Sequence, residues 1–259
     1  MEHLATHLHY IGTLIGINMR AHHGDVKRTV SLGLAMLFQN LMFFTLWVIF
    51  FHTVQQVKGW QLADLGLMYG TVATAVGLTI FMADGVRTIG TKIQNGSIDG
   101  LLARPRHALL PLILSRSNSA SLGDILSGPI YWFLFGHATA SQIPLLLVIT
   151  VMASSIFLSS LVIFYSMPFW VSNSQRFPDQ MFDILIIFCS IPQHAQTDAV
   201  KVVMFSLLPA GFISLIPVGL LHQFDARMLA LMMAATLFYG VLAVIIFNAG
   251  VRRYVQARG

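Results

Sequence analysis

The hydrophobic pattern of this chain is a series of long uncharged stretches. Five of them lack Asp, Glu, Lys and Arg altogether, at residues 30–51, 65–83, 143–170, 202–221 and 228–248. A helix needs roughly 20 apolar residues to cross the hydrocarbon layer of a membrane. A further long stretch, 108–135, contains polar residues, and a short apolar one covers 181–191. The pattern predicts an all-α, polytopic membrane protein.

Prolines interrupt the pattern before the last apolar stretch. Residues 181–191 are too few to span a membrane alone, and the next stretch contains Pro209 and Pro217 on either side of Phe212. Broken helix at membrane depth is tolerated only where protein or a water-filled cavity satisfies the freed backbone groups. We interpret 200–221 as a re-entrant segment of two short helices that enter from the outer face and return. A single proline-kinked span is the alternative.

Basic residues predict the orientation of the chain. All but Lys58, Lys201 and Arg227 of the 15 Lys and Arg residues fall on one side of the predicted spans. The positive-inside rule makes that side the cytoplasm. Both termini are then cytoplasmic, so the number of full crossings is even. The sequence predicts six transmembrane helices, near residues 30–51, 65–86, 108–135, 143–168, 177–192 and 228–248.

Composition supports the same class. The chain is 56% hydrophobic and 10% charged, whereas an average soluble domain is about 25% charged. The net charge of +5 comes from the cytoplasmic excess of basic residues, so we expect a lipid bilayer as partner and no nucleic acid. The single cysteine, Cys189, lies in an apolar stretch and supports no disulfide framework.

The residues ahead of the first apolar stretch predict a different kind of helix. Five apolar residues recur there at helical spacing, namely Leu4, Leu8, Ile11, Ile15 and Met19. We predict an N-terminal amphipathic helix within residues 1–24, lying on the cytoplasmic face of the membrane. A disordered tail is the alternative. No cleavage site follows the first apolar stretch, so we expect a retained helix rather than a secretory signal.

The loop between the second and third predicted spans, residues 87–107, contains a short helical pattern. Asp99 suits the positive end of a helix, and Ile98, Leu101 and Leu102 form one apolar face. The segment is either an anchor in the lipid headgroups or a docking helix that a soluble motor pushes. Its candidate coupling residues are Gly96, Ile98, Asp99, Leu101, Leu102, Arg104 and Pro105.

Three motifs in this chain resemble the ABC-2 type transporter permeases. They are G-x-I-D-x-L-L-x-R-P at 96–105, P-x-x-F-I-x-x-x-P at 209–217 and GVRRY at 250–254. They fall in the family's order and extend over most of the chain. The resemblance implies six membrane helices, a coupling helix in the first cytoplasmic loop and re-entrant helices before the last span.

The same resemblance implies the function and the partners. The chain would be the permease subunit of an ATP-binding-cassette exporter in a bacterial inner membrane. It would pair with a second permease, the same or related, and with an ABC ATPase present as two copies or two related chains. No G-x-x-x-x-G-K-[ST] occurs in the sequence. ATP and Mg would therefore bind the partner ATPase, with no cofactor on this chain.

Polar residues inside the third predicted span are candidates for the transport route. Ser117, Ser121 and Asp124 fall on one face of the predicted helix. A charged residue at membrane depth is expensive and usually faces a cavity or a partner. This face either lines the pathway or the dimer seam, or Asp124 is an internally paired structural carboxylate. We expect Arg116 to reach the cytoplasmic surface and Asp84 to pair with a basic loop residue.

Small residues form a stripe on the second predicted span, at Gly66, Gly70, Ala73 and Gly77. Such stripes allow two membrane helices to approach closely. We expect this stripe to pack inside the subunit, although a surface that slides during gating is also compatible with it.

Other functions receive less support from the sequence. The ten histidines lack metal-site spacing, and neither H-E-x-x-H nor G-x-S-x-G occurs, so we expect no metal and no catalytic residue. A secondary transporter or channel uncoupled from ATP is the alternative function. It would normally show an internal repeat with a broken helix in each half, and one broken region is visible here. An amphiphile, lipid-linked molecule, peptide or drug suits these apolar helices better than a free ion.

Overall fold

A computed structural model describes residues 12–13, 16–17, 24–57, 59–102, 108–171, 176–192 and 197–256. The regular elements in this part of the chain are helices, apart from one β-bridge between Val57 and Trp60. The N-terminal helix predicted over 1–24 lies mostly outside the described residues.

The α-helices follow one another with short connections. In chain order they are α1 (Val26–Val54), α2 (Leu62–Ala83), α3 (Ile89–Gln94), α4 (Asp99–Leu102), α5 (Leu109–Ile113), α6 (Ser121–Ile130), α7 (Ile143–Ser166), α8 (Arg176–Cys189), α9 (Asp198–Phe205), α10 (Ala210–His222) and α11 (Ala226–Gln256). A 3₁₀ turn joins α2 to α3, and a π-helical turn, Tyr131–Phe135, extends α6.

Four helical segments are long and apolar enough to cross a membrane. They are Val26–Val54, Leu62–Gln94, Ala140–Phe169 and Ala226–Gln256. They match the first, second, fourth and last predicted crossings. In an apolar 18-residue window of each segment, 67% and 61% of the residues are buried in the second and third, against 11% and 22% in the first and last. Helices α2 and α7 therefore form the centre of the bundle, and α1 and α11 lie at its periphery.

The prediction of a continuous third helix over 108–135 was wrong. The chain forms α5, breaks at residues 114–120, and resumes as α6. The break lies where Arg116, Ser117 and Asn118 interrupt the apolar pattern, and their polar groups make contacts outside a helix. The Asn118 side chain accepts a hydrogen bond of 3.0 Å from the backbone N–H of Ala120, just before α6 begins.

The fifth predicted crossing is also shorter than expected. Helix α8 has 14 residues, which at 1.5 Å per residue gives about 21 Å, less than the ~30 Å of a hydrocarbon core. It contacts α7 and α10. The described residues contain four helices of spanning length, or five if α9 and α10 count as one span, so the number six stays a prediction.

The broken segment before the last helix consists of two helices. Helices α9 and α10 meet at an angle of 100°, and Pro209 lies at the start of α10. At the corner, the rings of Phe205 and Phe212 meet edge to face with centroids 5.1 Å apart. The Tyr239 hydroxyl on α11 donates a 2.6 Å hydrogen bond to the carbonyl of Ser206. This geometry suits either a broken span or a re-entrant pair.

The small-residue stripe on α2 packs inside the subunit, as predicted. Its closest neighbour is the segment formed by α6 and its π-helical extension. A Cβ atom added at Gly66 would lie 2.5 Å from the backbone nitrogen of Gly136, and one at Gly77 would lie 2.7 Å from that of Ile125. Real Cβ atoms do not approach backbone that closely, so the glycines permit this contact.

Candidate functional site

The buried carboxylate of Asp124 joins two helices. The side chain of Asp124 on α6 is 7% exposed, and it accepts a hydrogen bond of 2.7 Å from the side-chain nitrogen of Asn40 on α1. The same nitrogen lies 3.2 Å from the Ser127 hydroxyl. Among the described residues, no basic side chain forms an ion pair with Asp124. The carboxyl group is therefore hydrogen-bonded to an amide and has no described ionic partner.

A cavity of about 990 Å³ opens beside this carboxylate. Residues of α1, α2, α6 and α8 form its walls. One end is polar and is lined by Gln39, Asn40, Arg87, Asn118, Ser121 and Asp124. The other end is aromatic and is lined by Phe43, Trp47, Phe50, Tyr69 and Tyr131. The cavity thus has an amphipathic lining along its length.

Two wall helices leave the cavity open at the side. Phe43 and Leu46 of α1 line it and are 62% and 63% exposed, and Ile187 of α8 is 55% exposed. At the aromatic end, the hydroxyl of Tyr69 on α2 accepts a 2.7 Å hydrogen bond from the Trp47 indole on α1 and donates one of 3.3 Å to the carbonyl of Ser190, just after α8. The opening between α1 and α8 faces the side of the bundle.

An ion-pair network lies at the polar end of the cavity. Asp84, whose side chain is 2% exposed, pairs with the Arg116 guanidinium at 2.9 Å and with that of Arg87 at 3.5 Å. Asp84 therefore pairs with basic residues as predicted, and Arg116, 54% exposed, reaches the surface as predicted. Arg87 also lies over the ring of Phe182 at 5.1 Å.

The loop after α2 is attached to the break that precedes α6. The backbone N–H of Gly85 donates to the carbonyl of Arg116 at 3.3 Å. The Ser117 hydroxyl donates to the carbonyl of Phe81, and the Lys92 ammonium donates to the Ser115 hydroxyl at 2.9 Å. Ser117 thus lies in the break rather than on the face of α6 that holds Ser121 and Asp124, which corrects the prediction of one continuous polar face.

The predicted coupling segment begins with a tight turn. Gly96 has φ of +72°, a conformation that glycine adopts without strain. Ile98 is fully buried within this chain, and its backbone N–H donates to the carbonyl of Lys92 at 3.2 Å. Its side chain therefore packs inside this chain, whereas the sequence pattern placed it on the apolar face that would meet a partner.

The rest of that segment is only partly described. Asp99 begins α4, and Leu101 and Leu102 are helical in their backbone. Arg104 and Pro105 lie outside the described residues. The prediction that Leu101 and Leu102 form an apolar docking face stays a prediction.

Comparison with known proteins decides the family. A family model described as an ABC-2 family transporter protein matches residues 34–258. The chain belongs to this family. Searches of curated proteins and of solved structures returned no match. Membership identifies the chain as a membrane transport permease and implies an ABC ATPase as partner.

The far end of the permease carries a second set of polar contacts. His222, at the end of α10, lies 2.5 Å from the Asp64 carboxylate at the start of α2. The Gln142 side chain, at the start of α7, donates to the carbonyl of Leu221 at 2.9 Å. These contacts attach the end of α10 to the two central helices, on the side opposite Asp84.

Several residues of the permease site were missed at the level of sequence. Asn40 and Gln39 stand side by side in an uncharged apolar stretch, and a polar pair at that depth was the available signal. Tyr69 and Trp47 gave no separate signal, because aromatic residues are common in membrane helices. Only the three-dimensional arrangement shows that they line one cavity with Asp124.

Proposed function

We propose that this permease is the membrane subunit of an ATP-driven exporter in a bacterial inner membrane. It crosses the membrane six times with both termini in the cytoplasm, and it pairs with a second permease, the same or related. Two ABC ATPase subunits, identical or related, bind ATP and Mg and dock on the loop at 87–107. The transported molecule moves along a route to which the cavity beside Asp124 belongs.

The observation that supports this proposal most is the physical connection between the loop and the cavity. The buried side chain of Ile98 and its backbone hydrogen bond join the coupling segment to α3. Lys92 and Gly85 join that region to the break at 114–120. The break leads directly into α6, which carries Asp124. A displacement of the loop by the ATPase would therefore move α6, which forms one wall of the cavity.

Packing restricts the direction of that movement. Helix α6 contacts α2 through glycines that leave no room between the backbones, and its contact with α1 is closely packed at Gly33 and Gly123. A Cβ atom added at Gly123 would lie 2.3 Å from the carbonyl oxygen of Gly33. Interfaces packed this tightly rearrange as units rather than deform continuously. We expect α1 and α6 to move together relative to α8, which changes the side opening of the cavity.

Purification with and without the ATPase tests the proposed function. The permease alone should bind no nucleotide and hydrolyse none, and ATP-dependent transport should appear only in proteoliposomes that contain both chains. The matched control is a complex whose ATPase subunit lacks its catalytic glutamate, which should bind but not transport. Transport by the permease without any ATPase would favour the secondary transporter or channel and contradict the proposal.

A further inference from the structure

We propose that the cavity beside Asp124 binds an amphiphile with a cationic head group, with the cation at Asp124 and the apolar tail along the aromatic residues. This inference rests on the proposed function, because it names the class of molecule that the permease moves. It commits to ammonium or guanidinium head groups on a single apolar tail.

Charge at the polar end supports a cation rather than an anion. Two charged residues, Arg87 and Asp124, are among those that line the cavity. Arg87 faces two carboxylates, Asp84 at 3.5 Å and Asp179 through an electrostatic interaction, and its guanidinium lies over the Phe182 ring. Asp84 and Asp179 together therefore balance Arg87 and Arg116, which also pairs with Asp84. Asp124 has only the amide of Asn40 as a described partner. A charge at membrane depth is stable when it pairs with an opposite charge, so the unmatched group is the carboxylate.

The length and the lining of the cavity fit the apolar tail of the proposed amphiphile. Asn40 and Phe50 lie ten residues apart on α1, which corresponds to about 15 Å along a helix. Over this length the lining changes from amides and a carboxylate to Trp47, Tyr69 and Tyr131. The volume of about 990 Å³ lies within the range of sites that hold drug-sized molecules. One elongated amphiphile therefore fits better than a small ion.

The side opening gives such a molecule a route of entry. The exposed wall residues Phe43, Leu46 and Ile187 lie on α1 and α8, so the mouth faces lipid when the bundle is in a membrane. In the proposed orientation the polar end is near the cytoplasm and the aromatic end lies deeper. A molecule in the cytoplasmic leaflet has its head and tail in this same order, so it enters without turning over.

Quenching of tryptophan fluorescence tests the inference directly. The full-length permease in dodecyl maltoside micelles is titrated with three probes that share a brominated dodecyl tail. The probes are a trimethylammonium, a sulfate and a maltoside, and Trp47 is the reporter at the cavity wall. We expect saturable quenching by the trimethylammonium at a low mole fraction, and only gradual, non-saturable quenching by the other two. Trp47→Phe should remove the saturable component.

Two carboxylate variants separate the site from the rest of the protein. Asp124→Asn keeps the shape and the acceptor oxygen for Asn40, and it should weaken trimethylammonium binding about tenfold or more, because it removes the charge attraction. Asp64→Asn makes the same change at a buried carboxylate outside the cavity and should leave the affinity within about twofold, since distant sites act independently.

The outcomes distinguish this inference from the proposed function. Equal binding of all three probes, tighter binding of the sulfate, or no saturable quenching by any probe would overturn the inference. The last result would mean that another molecule, such as a second permease, covers the mouth. If ATP-dependent transport with the ATPase partner is intact in that case, the proposed function stands and only the ligand class is wrong.

Discussion

The side-chain nitrogen of Asn40 on α1 lies 2.7 Å from a carboxylate oxygen of Asp124 on α6. This hydrogen bond joins a peripheral helix to the helix that packs most closely on the centre of the bundle. Two further described hydrogen bonds join α1 to the bundle, between the hydroxyls of Thr29 and Ser119 at 3.3 Å and from the Trp47 indole to the Tyr69 hydroxyl at 2.7 Å. Together with them, the pair of Asn40 and Asp124 holds one wall of the cavity, and it supplies the carboxylate that we assign to ligand binding.

Removing the amide should loosen that wall. Asn40→Leu leaves the Asp124 carboxylate without its described partner, and a hydrogen bond to a charged group contributes about 1.5–3 kcal/mol. For a protein of 259 residues that corresponds to a melting temperature lower by roughly 3–6 °C, measured by thermal unfolding in detergent. Thr45 lies on an exposed part of α1, and the described partner of its hydroxyl is the carbonyl of Leu41, so Thr45→Val should change the melting temperature little. An unchanged melting temperature for Asn40→Leu would show that packing alone positions α1.

The glycine contact between α2 and α6 predicts a steric effect. In Gly128→Ala the new Cβ would lie 1.7 Å from the Thr74 hydroxyl and 2.9 Å from the carbonyl oxygen of Gly70. Overpacking of this kind costs about 1–3 kcal/mol, which thermal unfolding would detect. Gly240→Ala is the matched control, because nothing lies within 4 Å of its added Cβ. Adding Thr74→Ala to Gly128→Ala should recover part of the lost stability. If the double variant recovers none, the contact with the Thr74 hydroxyl is not the cause of the destabilisation.

The ion pair between Asp84 and Arg116 should couple the loop after α2 to the break before α6. Asp84→Ala and Arg116→Ala, measured singly and together, form a double-mutant cycle whose coupling free energy we expect to be about 1 kcal/mol, since Arg116 is half exposed. The same cycle on the exposed pair Lys201 and Asp198 should give a value near zero. Strictly additive effects at Asp84 and Arg116 would remove this link from the proposed transmission path.

The sequence predicted those parts of the fold that composition alone determines. Long uncharged stretches gave α1, α2, α7 and α11, because a spanning helix needs nothing more than length and hydrophobicity. The prediction that the small-residue stripe on α2, which includes Gly70, packs inside the subunit was also confirmed. Glycines allow two helices to approach closely, and the spacing of small residues is visible in the sequence.

The remaining features depend on contacts between distant parts of the chain. Hydropathy over 108–135 predicts one helix, but Arg116 bonds to Asp84 and the backbone there bonds to Gly85, which breaks the helix. Ile98 was expected to face a partner, and whether an apolar residue packs inward or outward depends on the neighbouring helices. The cavity could not be predicted, because its walls come from four helices that the sequence does not place relative to one another.

The six-crossing topology predicts which positions react from outside the cell. With Cys189 replaced by alanine, single cysteines at Lys58 and Gln223 should react with a membrane-impermeant maleimide added outside. Cysteines at Met1 and Gly259 should react only after the membrane is opened. Buried Cys189 serves as the unreactive reference in the native chain. Labelling at Gly259 from outside would contradict the proposed topology. If Met1 stayed protected, the number of crossings would be odd, and if Met1 were labelled as well, the whole chain, including the coupling loop, would be inverted.

In the proposed mechanism, ATP-driven work enters the permease through the loop at 87–107. The double variant Leu101→Asp, Leu102→Asp puts two charges on the predicted docking face, and burying an unpaired charge in an apolar contact costs several kcal/mol. Val255→Asp, at an exposed valine near the end of α11, places a similar charge on another predicted cytoplasmic surface and is the control. Arg104→Ala should have a milder effect, as expected of a surface ion pair.

The decisive measurement is ATP-dependent transport and stimulated ATP hydrolysis by the purified complex carrying the double variant, together with the amount of ATPase that co-purifies. We predict that the variant inserts normally, that the ATPase dissociates more readily, and that transport and stimulated hydrolysis fall together, while the Val255→Asp complex behaves as wild type. Normal ATPase binding and normal transport in the double variant would show that this helix is only a membrane anchor, and would contradict the proposed coupling.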